Sequence, residues 1–188
     1  MVESKIEKKE KKKWFPIMAS KEFGNHIIGE TYVTELEKSI GKIMSINMMA
    51  LTNDPKRQNT NVYFEITDKK GTELHTRLIG FEISAPYIKR IYKRVKSKVE
   101  DSYPITLKDD LKIRIKPSIS CKGESHASVL TTMQKKAYET IKRELESKNF
   151  SEALSFILNN DLTRIIKNDL KKIFPISSII IKSAKLEK

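Results

Sequence analysis

Residues 86 to 117, PYIKRIYKRVKSKVEDSYPITLKDDLKIRIKP, constrain the fold more than any other stretch, because two periods meet in them. In the first part Ile88, Ile91, Tyr92 and Val95 recur at i, i+3, i+4 and i+7, which is one face of a helix. Pro86 can open that helix, since the first turn has no use for its missing N–H. Lys89, Arg90, Lys93, Arg94 and Lys96 lie on the other side of the same wheel, so one side can dock on a core while the other holds positive charge in water. The second part changes to period 2. Apolar Val99, Tyr103, Ile105 and Leu107 lead to a turn at Lys108-Asp109-Asp110, after which Leu111, Ile113 and Ile115 alternate with Lys112, Arg114 and Lys116. Every outward position of that last strand is basic. A solvated strand face more often mixes signs, so the row points to a polyanionic partner. A charged face kept for solubility is the plain alternative.

The whole chain leans the same way. Its 188 residues carry 37 Lys and Arg against 24 Asp and Glu, a formal charge of +13. Like charges repel in a compact chain, and a counter-charged surface relieves that repulsion; nucleic acid is the commonest such surface. An anionic membrane is the rival, but no apolar run approaches the roughly 18 residues of a spanning helix and no lipidation signal is visible. The amino-terminal MVESKIEKKEKKKWF has no apolar stretch and does not read as a secretory leader. A lone Cys121 excludes an internal disulfide and fits a reducing, cytoplasmic compartment.

Residues 1–13 hold six lysines and three glutamates with almost nothing apolar, and read as a flexible basic arm ending in Lys11, Lys12 and Lys13. Folded structure is expected from Trp14-Phe15-Pro16-Ile17-Met18, whose aromatics read as core plugs more readily than as base-stacking platforms. Strands are expected over 42–48, 62–67 and 73–83, the last bent at Gly80, with a polar connection carrying Lys56 and Arg57 and a hairpin turn at Asp68 to Gly71. Strands joined by tight turns around one inserted basic helix favour an antiparallel, closed or nearly closed barrel over 14–120. CKGESHAS then reads as a loop, and the period becomes 3.6. Leu130, Met133, Ala137, Ile141 and Leu145 stripe one helix; Ser151 can cap a second, and Asn160 or Asp161 a third. After Phe174-Pro175 an apolar strand, Ile176 to Ile181, must be covered and so should pair back into the fold. The expectation is an α+β protein, one compact unit overall: a mostly antiparallel β-barrel with an inserted basic helix, then a helical region over 121–188 with a returning final strand.

No catalytic constellation emerges. His26, His75 and His126 are far apart, and Cys121, Glu124 and His126 in one loop lack the further ligand that a tetrahedral zinc site needs. There is no glycine-rich phosphate loop, and Asp109-Asp110 reads as a turn. Neither enzyme activity nor a cofactor or metal is expected. A free-standing RNA-binding or RNA-processing protein, and an adaptor whose charge only keeps it soluble, are the alternatives.

Several words of the sequence resemble the small-subunit ribosomal protein family of archaea and eukaryotes called e-S-one, formerly S-three-A-e. They are KKKWFPIMA (11–19), IGETYV (28–33), IGKIMSINMMALTNDPKRQNTNVYFEIT (40–67), LIGFEISAPYIKRIYKRVKSKVED (78–101), LKIRIKP (111–117) and KKIFPISSIIIKSAKLEK (171–188), and they run in family order. The chain departs from the family's usual Arg at Lys42, acid at Ser45 and Asp at Ala50, and near Lys96 and Lys98 it has Lys where Arg is frequent. Lys keeps the charge there and loses bidentate phosphate geometry. The resemblance implies a β-barrel with helices, bound to ribosomal RNA on the platform of the small subunit near the messenger exit, beside neighbouring ribosomal proteins and without a catalytic role. On that reading phosphate contacts come from Lys89, Arg90, Lys93, Arg94, Lys96, Lys98, Arg114 and Lys116, with Lys11, Lys12, Lys13, Lys56 and Arg57 adding contacts from arm and loop.

Overall fold

The computed structural model describes residues 11–20 and 23–187, so the expected arm lies outside the described residues up to residue 10. Contacts divide the chain into two compact units, a smaller one up to residue 45 with 64–78, and a larger one of 46–63 with everything from 79 on.

In the smaller unit β1 (Lys13–Met18) pairs antiparallel with β2 (Ile27–Val33), placing Trp14 opposite Tyr32 and bulging between Ile17 and Met18. Lys13 therefore begins a strand, and the basic arm cannot run beyond it. A third strand, β3 (Ile43–Asn47), pairs with β4 (Thr60–Lys70), and β1 also pairs, in parallel, with the start of β5 (Glu73–Ile83), Ile17 facing Leu74. Residues of β3, β4 and β5 divide between the two units. The β4–β5 turn passes through Gly71 at φ +60°, where a side chain is disfavoured. Ile17, Ile66 and Leu74 form the core, with Ile28, Leu36 and Met44 against it. The aromatic entry differs from expectation: Trp14 is 64% exposed, because β1 alternates and Ile17, three residues on, takes the buried side.

The larger unit begins with α1 (Met48–Thr52), capped by the Asn47 side chain, and a 3-10 turn at Pro55–Arg57 capped by Asp54. Then follow α2 (Ala85–Tyr92), β6 (Lys98–Glu100), β7 (Tyr103–Thr106), β8 (Lys112–Cys121), α3 (Ala127–Leu145), α4 (Phe150–Leu158), α5 (Asp161–Leu170) and β9 (Ile176–Leu186). The returning strand does pair back: β9 lies antiparallel between β5 and β8. Along the far edge of β8, β7 pairs with its first half and β6 with its second. This path is open, and closure into a barrel is not among the described pairings; the mixed α+β class is what the structure has.

Ile113, Ile115 and Ile119 of β8 and Ala184 of β9 turn to the core, where Met133, Ala137, Ile141 and Leu145 of α3, Leu154 of α4 and Leu162, Ile166 and Leu170 of α5 are almost wholly buried. Each such Ile or Leu contributes about 1.5–3 kcal/mol of transfer free energy. Thr140 Oγ1 donates to the Asp169 carboxylate at 3.0 Å, tying α3 to α5. Three local expectations shift. The strand expected through Val99 to Leu107 is divided at Asp101-Ser102, where the Asp101 carboxylate accepts from the Ser102 N–H. Cys121 ends β8 and Ala127 starts α3, shortening the loop between them. The cap of α4 is Asn149, whose side chain accepts from the main chain while Glu152 reaches back, and the helix already includes the buried Phe150.

Candidate nucleic-acid interface

Two elements of the larger unit gather positive charge. On α2 the apolar residues Ile88, Ile91 and Tyr92 are half-buried, while Lys89 and Arg90 on the helix and Lys93 and Arg94 in the turn after it are exposed. Tyr92 fixes the helix: its hydroxyl donates to the Ser118 carbonyl of β8 at 3.3 Å, and burial raises the phenol above its ordinary range. The helix stops at Tyr92, so Lys93, Arg94, Val95 and Lys96 continue the basic segment as a turn and loop and not as further helix. Among the described residues Lys89, Arg90, Lys93 and Arg94 make no ion pair, as is true of Lys56 and Lys116.

The second element is the face of β8 and β9 turned away from the core. Strand register puts Arg114 opposite Lys185, Lys116 opposite Ser183, and Glu82 of β5 opposite Ser183 on that face. Between Lys116 and Pro117 the register slips by one residue, leaving Lys182 as a bulge. The Lys182 and Lys98 ammonium groups stand 5.9 and 5.8 Å from the Tyr92 ring centroid, and Lys182 Nζ is 2.8 Å from Glu100. Lys185 lies over the Tyr63 ring at 4.3 Å and hydrogen-bonds Glu82. That hydrogen bond holds the Glu82 carboxyl below its usual range, and Lys182, with Lys98, does the same for Glu100. Arg114 Nη2 meets Glu187 at 2.5 Å. Glu82 and Glu100 are therefore ionised, and these two acids and Glu187 are already engaged by cations.

The remaining expected residues are placed as follows. Lys96 pairs with Glu124 at 3.1 Å and Lys98 with Glu100 at 3.1 Å, both at the surface. Arg57 is the most committed, held by Asp54 at 3.5 Å and Asn159 at 3.4 Å. It lines, with Lys56 and Tyr87, a cavity of about 380 Å³ floored by Phe81, Ile157 and Ile179. Lys11, Lys12 and Lys13 are exposed and belong to the smaller unit. Lys182 and Lys185 were not singled out in the sequence, since a spacing of three in a strand places side chains on opposite faces unless a bulge intervenes. Pro117 was the available signal: it cannot donate to the ladder, and bulges accommodate it. Among the described residues no cluster of three His, Cys, Asp or Glu could hold a metal. Glu124 is taken by Lys96, and burial raises the Cys121 thiol. No described helix is long and apolar enough to cross a membrane.

Fold and charge together define a basic α+β protein with two cation-rich surfaces on its larger unit. The chain belongs to the Ribosomal S3Ae family, whose profile matches residues 2–188. It is similar to the small ribosomal subunit protein eS1 of Saccharolobus islandicus, 29% identical over 177 residues that cover 94% of this chain and 85% of that protein. The protein of the same name from Halorubrum lacusprofundi is 27% identical over 179 residues, covering 95% and 83%.

Proposed function

We propose that the chain is a structural constituent of the small ribosomal subunit, seated on folded ribosomal RNA at the platform near the messenger exit and supporting translation in the cytoplasm. The observation that carries this reading is the set of four cations at the end of α2 and in the turn after it, exposed and free of acidic partners among the described residues, on a helix anchored through Tyr92. The curated relatives' names, small ribosomal subunit proteins, support it. Phosphate oxygens along an RNA helix would meet Lys89, Arg90, Lys93 and Arg94, then Lys96 and Lys98, while Arg114, Lys116, Lys182 and Lys185 would meet them across the strands. Exposed ion pairs contribute at most about 1 kcal/mol each, so phosphate can take over the cations of Lys96, Lys98 and Arg114 at little cost. Such contacts position a protein on RNA without reading bases. Lys56 and Arg57, and the amino-terminal residues through Lys13, add further contacts, and neighbouring ribosomal proteins complete the environment. No catalytic step, membrane or small-molecule substrate belongs to this role. A native extract fractionated on a density gradient, first at moderate and then at high salt, tests it. Sedimentation of this chain with the small subunit through moderate salt is expected; recovery only at the top of the gradient would overturn the proposal.

A further inference from the structure

We propose that Trp14 and Tyr32, on the smaller unit, form a stacking platform for an unpaired RNA base. This rests on the RNA-binding reading above and adds to it a surface that takes a base and not a phosphate. Trp14 and Tyr32 face each other across β1 and β2. They stand 64% and 51% exposed, with ring centroids 4.9 Å apart and planes tilted by 36°. Strand alternation sets Lys12, Trp14 and Pro16 on one side with Tyr32 and Glu30, and turns Ile17 and Val33 to the buried side. The pair is thus a cross-strand aromatic ladder with its outer faces open, the form in which sheet surfaces take up splayed bases.

Charge selects the occupant. Lys12 Nζ sits 5.8 Å from the Tyr32 centroid, on the same side as Trp14, so a base stacked on Trp14 would bring a flanking phosphate to that ammonium group. At the other end Glu30, exposed and opposite Pro16, would repel phosphate and so bounds the path of the strand. An apolar protein segment could cover the rings but would leave Lys12 without counter-charge. A duplex offers lysine contacts but no free base face.

Trp14 is the chain's sole tryptophan, so its emission reports this surface alone. The full-length protein is titrated with a short oligouridylate and, separately, with an RNA duplex of equal length, following both tryptophan emission and the anisotropy of labelled RNA. Quenching by oligouridylate and not by duplex is expected. Trp14→Ala should weaken oligouridylate binding about tenfold and duplex binding little, while Trp14→Phe, which keeps a ring, should largely restore it. Binding of both RNAs with unchanged emission, and equal affinity in Trp14→Ala, overturns the platform and leaves the phosphate-binding role standing. Binding of neither RNA at low salt overturns both. An emission change that appears only with a neighbouring ribosomal protein and survives ribonuclease overturns the platform in favour of a protein contact.

Discussion

At Gly80 two backbones approach closely within the larger unit. A Cβ placed there would lie 2.1 Å from the Ala184 carbonyl oxygen and 2.7 Å from the Lys185 Cα, both main-chain atoms. Ala184 cannot retreat, because it is opposite Phe81 on one side and Ile115 on the other. Gly80→Ala should therefore lower the unfolding free energy by about 1–3 kcal/mol in urea titration. Gly123→Ala, with nothing within 4 Å of the added carbon, should leave it unchanged. Tyr103 gives a residue-scale pH effect. Its buried phenol donates to the Gln134 carbonyl at 3.1 Å, and burial with the nearby Asp101 charge raises it above the ordinary 10.0. The unfolded chain ionises this phenol near pH 10 while the folded chain keeps its proton, so stability is complete below pH 10 and falls as pH rises beyond it. Tyr103→Phe should cost about 1 kcal/mol at neutral pH and flatten that alkaline loss, read by chemical denaturation at successive pH values.

The caps and bulges decide where elements begin and turn. Asn149→Ala removes one arm of the capping box on α4 and should cost about 1 kcal/mol, measurable in the same denaturation experiment; Glu152→Gln should cost less because Gln can still reach back. Much at this scale was legible. The strand over 73–83 and the α3 stripe appear where periodicity puts them, since each depends on residues close in sequence. The α4 start was harder, because Asn149 and Ser151 both fit the cap position and the choice turns on the burial of Phe150, whose N–H is held by Asp109 across the fold. Beyond the hint in Pro117, the Lys182 bulge was not legible, for a similar reason. It arises from the pairing of β9 with Pro117 on β8, a partnership no local period announces. Trp14 shows the limit in another form, as an aromatic residue in a strand has two faces to choose from and its own segment does not say which is covered.

At the scale of the whole chain the +13 charge bears on the proposed RNA contact more than on folding. Replacing Lys89, Arg90, Lys93 and Arg94 together by Gln should leave the denaturation midpoint nearly unchanged, since none forms an ion pair among the described residues. The logarithmic salt dependence of RNA affinity should become shallower by about 0.7–0.9 for each phosphate that is no longer neutralised. An unaltered slope would remove α2 from the interface. The charge points to a polyanion but not to which one; only the ordered words shared with a ribosomal family narrow it further. The placement of β9 also has a consequence in time. It lies between β5 and β8, and Gly80 must wait for Lys185, more than a hundred residues later in synthesis, before its strand gains that neighbour. The larger unit therefore cannot close its sheet on a partly made chain, however early α2 emerges. A nascent chain displays the helix cations first and acquires Lys182 and Lys185 last, so under the proposed role it meets RNA before it holds the shape to stay there.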